Sequence, residues 1–174
     1  MIDYLIEFFA VVILVIIPIY LSNSLALVFG GKTPIDFNKN FSDDRPIFGP
    51  GKTIRGAIAG IFFGSLTGII VSVFIPQLTG YLPVDYVQYA ILLSVGAVVG
   101  DIAASFLKRR INIERGKSVL ILDQLDFLIG GLVIGGIIFV PSILQIAFLT
   151  VFTFLMHRFA NNIAFLTKLK KVPW

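Results

Sequence analysis

Residues 54–75 read IRGAIAGIFFGSLTGIIVSVFI, and this stretch decides the fold class. Apart from Arg55 at its start, it carries no charge. A helix needs about 20 apolar residues to cross about 30 Å of hydrocarbon, so we predict a transmembrane helix here. Every fourth residue from Gly56 to Gly68 is a glycine, which would form a smooth stripe that lets another helix approach closely. We favour helix packing for this stripe; the alternative is a crevice that a lipid enters.

Four further apolar stretches flank this one, at residues 4–21, 86–107, 119–140 and 142–166. The chain of 174 residues is 57% hydrophobic and 14% charged, which is too apolar for a soluble domain of this length. We therefore predict an all-α fold, an integral membrane bundle of five transmembrane helices, with residues 1–174 forming one domain. The last stretch has no glycine and many phenylalanines, so we expect it at the periphery.

The basic residues form three groups along the chain. The first group is Lys32, Lys39, Arg45, Lys52 and Arg55; the second is Lys108, Arg109, Arg110, Arg115 and Lys117; the third is Arg158, Lys168, Lys170 and Lys171. These are all 14 lysines and arginines of the chain. Five spans would bring the three groups to one face, which the positive-inside rule makes cytoplasmic. We predict an outside N-terminus, a cytoplasmic C-terminus and two cytoplasmic loops, at residues 22–53 and 108–118.

Three aspartates fall within the predicted spans, close to the basic face: Asp101, Asp123 and Asp126. At a rise of 1.5 Å per residue they lie about 8–12 Å inside their helix ends, in one shallow layer. Charged residues in spans are costly and mark functional sites. The chain has no cysteine, and oxygen ligands suit Mg²⁺ with substrate phosphates. We predict a site for a nucleotide–metal complex; the alternative is a set of interhelical salt bridges, for example Asp101 with Lys108.

The loop that leads into the second span offers phosphate-binding groups. Gly49 and Gly51 would let a ligand approach the backbone, and Lys52, Thr53 and Arg55 would donate to phosphate at a helix N-terminus. The letters GKT at 51–53 do not form a P-loop, because the pattern requires a glycine at position 46, which is a proline, and a preceding strand.

Three other polar features have open interpretations. Asn23 and Ser24 follow the first span and suit a cap or loop, with ligand contact as the alternative. Residues 30–34, GGKTP, are typical of a turn, with phosphate binding as the alternative. His157 near the end of the last span is interpreted as a packed polar residue rather than a ligand contact.

These motifs together resemble the archaeal CDP-archaeol synthases, which are similar in turn to bacterial and eukaryotic CDP-diacylglycerol synthases. One set of residues resembles the cytidylyltransferase signature: Gly100-Asp101, Ser105, Lys108-Arg109 and the closing Asp123-Gln124-Leu125-Asp126. A second set resembles the archaeal branch: Arg45, Gly49, Lys52-Thr53, Arg55-Gly56 and the ending Val172-Pro173-Trp174. The chain departs from the bacterial pattern in its shorter loop, which has Glu114-Arg115 where a Lys-Asp pair is expected, and in having fewer spans.

The resemblance implies transfer of CMP from CTP to 2,3-bis-O-geranylgeranylglycerol 1-phosphate, an isoprenoid ether-lipid phosphate, with release of pyrophosphate. The implied catalytic residues are Asp101, Lys108, Asp123 and Asp126. The implied nucleotide- and phosphate-binding residues are Asn23, Ser24, Arg45, Gly49, Lys52, Thr53, Arg55, Ser105 and Arg109. One or two Mg²⁺ ions would be held by Asp101, Asp123 and Asp126.

The expected partners follow from the same interpretation. They are CTP, the lipid phosphate and the bilayer, with no nucleic acid, and a homodimer is left open. We expect a multi-pass protein of the cell membrane whose active site faces the cytoplasm. The alternative function is a small transporter or channel for an anionic substrate. It is disfavoured because transporter sites typically lie near the bilayer midplane within inverted repeats, whereas these charges are shallow and one-sided.

Overall fold

A computed structural model describes residues 1–113 and 122–166. Its helices in chain order are α1 (Ile2–Val28), α2 (Ile54–Phe74), α3 (Pro76–Thr79), α4 (Tyr86–Arg110), α5 (Leu122–Gly135) and α6 (Ile143–Leu166). In these residues the only β-pairing consists of two isolated bridges in the loop between α1 and α2. The predicted all-α class is confirmed for the described part of the chain.

In the part of the chain that the structure describes, three helices are long and apolar enough to cross a membrane: α1, α2 and α4. The described part of α5 comprises 14 residues, and the described apolar stretch of α6, Ile143–Phe159, is likewise shorter than a full span. Five spans and the orientation of the bundle therefore stay predictions.

Two predicted boundaries are wrong by more than one helical turn. Helix α1 continues to Val28, so Asn23 and Ser24 lie in its last turns and not in a loop. The helix continues because residues 25–28, LALV, are apolar and favour helix, and it ends before the Gly30-Gly31 pair. At the other boundary, helix α5 ends at Gly135 although we predicted a span to residue 140. A second glycine, Gly136, and a following turn interrupt the helix there.

The glycine stripe of α2 packs against α1, which confirms the packing interpretation. A Cβ on Gly56 would lie 2.6 Å from the carbonyl oxygen of Ala26, and one on Gly60 would lie 2.7 Å from that of Ser22. Only glycine permits so close an approach of two helix backbones. Gly68, at the far end of the stripe, instead meets α4 at Ala90.

Helices α4 and α5 cross at glycines in the same way. A Cβ on Gly130 would lie 2.6 Å from the Cα of Gly100, and one on Gly100 would collide with the carbonyl oxygen of Asp126. This crossing brings Asp101, the residue after Gly100, to the level of Asp126. Helix α6 packs mainly on α5 and α1 and leaves large apolar side chains such as Leu144 and Val151 exposed, which confirms its peripheral position.

Candidate active site

The backbone around Lys52 is held by the loop that follows α1. The amide of Ile35 donates to the carbonyl oxygen of Lys52 over 2.8 Å, and the amide of Ile54 donates to that of Thr33 over 3.1 Å. Thr53 is the N-cap of α2: its Oγ1 accepts hydrogen bonds from the amides of Gly56 at 3.2 Å and Gly31 at 3.0 Å. These bonds place the side chain of Lys52 at the start of α2.

Asp36 organises the rest of this loop. Its side chain is buried and accepts hydrogen bonds from the amides of Asn38 at 3.0 Å, Phe48 at 2.9 Å and Gly49 at 2.7 Å. Burial alone would raise the pKa of Asp36, but these amide hydrogen bonds outweigh it and hold the pKa below its usual value. Gly49 has φ +90°, a conformation that favours glycine. Sequence reasoning missed Asp36; its only local signal is the turn-forming Asp-x-Asn pattern at 36–38.

Arg110 fastens the loop to the end of α4. Its guanidinium forms an ion pair with Asp43 and donates to the carbonyl oxygen of Pro46 over 2.5 Å. It also lies 4.8 Å from the ring centre of Phe41 and 4.9 Å from that of Phe106. The sequence alone does not distinguish Arg110 from the other basic residues of the predicted loop. Its contacts show that it holds the loop against the helix that carries Asp101.

The predicted layer of carboxylates contains two lysine–aspartate pairs. Lys52 Nζ lies 2.5 and 2.6 Å from the two carboxylate oxygens of Asp101. Lys108 Nζ lies 2.5 Å from Oδ1 of Asp123. One interhelical salt bridge, our alternative, is therefore present between Lys108 of α4 and Asp123 of α5, whereas Lys52 pairs with Asp101 from the loop before α2. The suggested pairing of Asp101 with Lys108 is wrong. Asp101 and Lys108 lie two turns apart on α4, and each is closer to a partner from another segment.

Asp126 completes this layer. It is 7% exposed, and its Oδ1 accepts a hydrogen bond from the amide of Phe127 at 2.7 Å. It is repelled by the charge of Asp101 and attracted by those of Lys108 and Lys52. The structure thus brings together all four predicted catalytic residues and one predicted phosphate-binding residue: Asp101, Lys108, Asp123, Asp126 and Lys52.

A cavity of about 470 Å³, here called the inner pocket, opens beside Asp101. Five of the predicted site residues line it: Asn23, Ser24, Lys52, Thr53 and Asp101. Because α1 extends further than predicted, Asn23 and Ser24 face this cavity from a helix. His157 of α6, which the sequence analysis interprets as a packed polar residue, also lines the pocket. Its ring centre lies 5.3 Å from that of Phe127, so it is packed as well.

Other predicted phosphate-binding residues lie elsewhere. Arg45, Gly49 and Arg109 line a separate cavity of about 250 Å³. Arg109 already donates to the carbonyl oxygen of Ile113 over 2.5 Å. Arg55 lines a third cavity of about 510 Å³ together with Lys32; we call it the outer groove.

The remaining predicted residues are not among those that line these cavities in the described part of the chain. Ser105 is buried on α4, one turn from Asp101. Glu114 and the three C-terminal lysines, Lys168, Lys170 and Lys171, lie outside the described residues.

The donor chemistry of the aspartate layer fits a hard divalent cation. Its carboxylates are partly or fully shielded, and two of them already attract ammonium groups, so this is a place where positive charge is stabilised. Within residues 1–113 and 122–166, no three acidic or histidine side chains surround a common point as a closed metal site would require. A cation here would therefore take further ligands from a phosphate-bearing substrate, as Mg²⁺ usually does.

A family model described as "CarS-like: CDP-archaeol synthase" matches residues 2–174. The chain belongs to the CDP-archaeol synthase family. The CDP-archaeol synthase of Methanocaldococcus jannaschii is 45% identical over 165 residues, covering 91% of this chain and 93% of the relative. That of Pyrococcus horikoshii is 42% identical over 159 residues, covering 91% and 93%.

A solved structure supports the same family. It is described as an intramembrane enzyme for archaeal membrane lipids biosynthesis, and it is 31% identical, with a TM-score of 0.77 over 86% of this chain and 91% of the other. The family resemblance read from the sequence is thereby confirmed, and the chain is a membrane-embedded enzyme of the CDP-archaeol synthase family. The roles of individual site residues stay predictions.

Proposed function

We propose that the chain transfers CMP from CTP to 2,3-bis-O-geranylgeranylglycerol 1-phosphate and releases pyrophosphate. The observation that carries this proposal is the aspartate layer with its two lysines, because it combines carboxylates and ammonium groups beside a pocket large enough for a nucleotide. The names of the relatives support the reaction. Family membership also favours an enzyme over the transporter or channel that we considered.

The reaction needs little acid–base chemistry. An oxygen of the lipid phosphate forms a bond to the α-phosphorus of CTP, and the bond from that phosphorus to the bridging oxygen of the β-phosphate breaks. The second pKa of a phosphate monoester is about 6, so the attacking group is already largely a dianion at pH 7. The difficulty is bringing two anions together, which positioned positive charge can overcome.

Lys52 and Lys108 are the groups that we expect to meet the substrate phosphates. Each ammonium group forms an ion pair with an aspartate, with a shortest nitrogen–oxygen distance of 2.5 Å. When the triphosphate enters, each can exchange a carboxylate oxygen for a phosphate oxygen and remain neutralised. Lys52 and Thr53 lie at the N-terminus of α2, where the helix dipole also favours an anion.

Asp123 and Asp126, with Asp101, are the residues that would hold one or two Mg²⁺ ions. When bound, the ion would neutralise the charge of the triphosphate and polarise its phosphoryl oxygens. The role of this chain is to present the carboxylates at one level, through the crossing of α4 and α5 at Gly100 and Gly130.

The other end of the inner pocket suits the nucleoside. Asn23 offers an amide donor and acceptor, and Ser24 a hydroxyl, on one side of the cavity. Cytosine presents a matching donor and acceptors on its edge. The positive-inside rule supports a cytoplasmic location of this pocket, where CTP is made available.

The test is a transfer assay with the purified full chain, labelled CTP, Mg²⁺ and the lipid phosphate. We expect labelled CDP-lipid from the wild type and none from the Asp123→Asn/Asp126→Asn double variant. Asp3→Asn, at the far end of α1, is the matched control and should retain full turnover. An active double variant would contradict the metal assignment. Absence of product with ether and ester acceptors alike would contradict the function, and a flux assay in liposomes would then examine transport.

A further inference from the structure

The outer groove lies on the side of α2 that does not contact α1. Two basic side chains, Lys32 and Arg55, stand at its polar end, and both are exposed. Among the residues that the structure describes, neither forms an ion pair or a side-chain hydrogen bond. In this respect they differ from Lys52, Lys108 and Arg110, each of which is paired with an aspartate.

An apolar strip continues from these two cations along the helix. Ile54, Ile58 and Phe62 recur every fourth residue and therefore share one helix face. Ile58 is 64% and Phe62 59% exposed, and both line the groove. At 1.5 Å per residue the strip extends about 12 Å from the cations toward the middle of the span. A ligand that matches it has an anionic head and an apolar chain.

Gly31 lines the outer groove and contacts a lining residue of the inner pocket. Its amide donates to Oγ1 of Thr53, which lines the inner pocket, over 3.0 Å. On its other side, a Cβ at Gly31 would lie 2.9 Å from the Cβ of Arg55, which lines the outer groove. A residue without a side chain thus lies between Thr53 of the inner pocket and Arg55 of the outer groove. A head group held at Lys32 and Arg55 would lie across Gly31 from Thr53.

We propose that the outer groove docks a membrane lipid whose head group is a phosphate monoester, with the phosphate on Lys32 and Arg55 and one isoprenoid chain along Ile54, Ile58 and Phe62. The charge decides the class of lipid: a phosphate monoester carries about −1.5 to −2 at pH 7, which two cations match, whereas a phosphodiester carries only one charge. The inference rests on the proposed function, because this lipid is the class of the proposed acceptor. It adds that the acceptor docks from the bilayer on the outer side of α2, and not through the inner pocket.

The test measures lipid binding without CTP, so that its outcome is independent of turnover. The full chain is placed in nanodiscs of zwitterionic lipid, and adducts of 2,3-bis-O-geranylgeranylglycerol 1-phosphate are counted by native mass spectrometry. Lys32→Gln/Arg55→Gln removes both cations; Lys39→Gln, an exposed lysine of the same loop outside the groove, is the matched control. Each cation near an anionic lipid contributes about fivefold to affinity, so we expect roughly thirtyfold weaker binding in the double variant and no change in the control.

Two competitors identify the ligand class. A phosphodiester lipid with the same chains should compete weakly, and water-soluble glycerol 1-phosphate should not compete. Phe62→Ser, which keeps both cations, should also weaken binding by shortening the apolar strip. Unchanged binding in the double variant, or equal competition by the phosphodiester or by glycerol 1-phosphate, would overturn the proposal. Normal turnover with unchanged binding in the double variant would reject the groove alone. Specific binding without any CDP-lipid product would reject the proposed function alone.

Discussion

Lys52 contacts both carboxylate oxygens of Asp101, at 2.5 and 2.6 Å, and so joins the loop before α2 to the middle of α4. Both side chains are about one quarter exposed and line the inner pocket. The pair puts a cation and a carboxylate on the wall of the pocket that we propose for the triphosphate. It therefore connects the phosphate-binding loop with the aspartate layer.

Replacing Lys52 by glutamine should reduce catalysis more than it reduces stability. The variant loses a cation that is expected to neutralise phosphate charge in the transition state, and loss of one such group typically lowers kcat by about 10²–10³-fold. Steady-state transfer kinetics would measure this, with Lys39→Gln as the control because Lys39 is exposed in the same loop. Equal kcat values in the two variants would show that Lys52 only pairs with Asp101.

Removal of Mg²⁺ by EDTA should stop transfer, and added Mg²⁺ should restore it. The single variant Asp123→Asn removes one proposed ligand, so it should need a higher Mg²⁺ concentration for half-maximal rate. The dependence of rate on free Mg²⁺ measures this directly. Full activity in EDTA would contradict a role for a divalent cation.

Gly130→Ala should separate α4 from α5. The added Cβ would lie 2.6 Å from the Cα of Gly100, so one helix must move. Overpacking of this kind costs about 1–3 kcal/mol, and it would also displace Asp101 from Asp126. We expect a lowered Tm and a lowered kcat. Gly80→Ala, whose Cβ would meet its nearest atom at 3.5 Å, is the control and should change neither quantity. An unaltered Tm in Gly130→Ala would mean that the crossing is looser than described.

Asp36→Asn should loosen the loop that presents Gly49 and Lys52. The buried carboxylate accepts three amide hydrogen bonds, and an amide side chain can replace only part of them. We expect a severalfold higher KM for CTP with a smaller change in kcat. Asp36 positions the loop, and it lines neither the inner pocket, nor the outer groove, nor the cavity beside Arg109. A variant with wild-type KM would show that the loop keeps its shape without this charge.

The same carboxylate predicts a pH dependence of stability. The pKa of Asp36 in the folded chain lies below the usual value of about 3.9, which we take for the unfolded chain. Its ionised form therefore stabilises the fold fully above that value, and this stabilisation is lost as the pH falls through the lower folded pKa. The difference in Tm between wild type and Asp36→Asn should be constant from pH 5 to pH 7 and should shrink below about pH 4. A difference that grows on acidification would contradict this assignment.

The physics of the bilayer explains how much of this could be predicted from the sequence. The second predicted span, residues 54–75, coincides with helix α2, Ile54–Phe74, because the length and hydrophobicity of the apolar stretch already indicate a helix that could cross lipid. The aspartate layer was predictable because Asp101, Asp123 and Asp126 are charges at a fixed rise along helices. The end of α1 was not, since residues 25–28 are apolar whether the helix leaves the membrane or not.

Pairing between distant segments was not predictable. Which lysine meets Asp101 depends on how α2 packs beside α4, and Lys52 lies 49 residues away from Asp101 in sequence. Likewise, Asp36 gains its importance only when the loop folds back to bring the amides of Phe48 and Gly49 onto it. The outer groove arises from the orientation of Arg55, which the sequence alone had grouped with Lys52.

The central claim is that the transferred group is CMP, and the position of the label in CTP tests it most directly. The purified chain is incubated with Mg²⁺, the lipid phosphate and CTP labelled either at the α- or at the γ-phosphorus. The proposed attack on the α-phosphorus predicts that the α-label enters the lipid fraction while the γ-label leaves as pyrophosphate. Entry of the γ-label into the lipid, or of neither label, would contradict it.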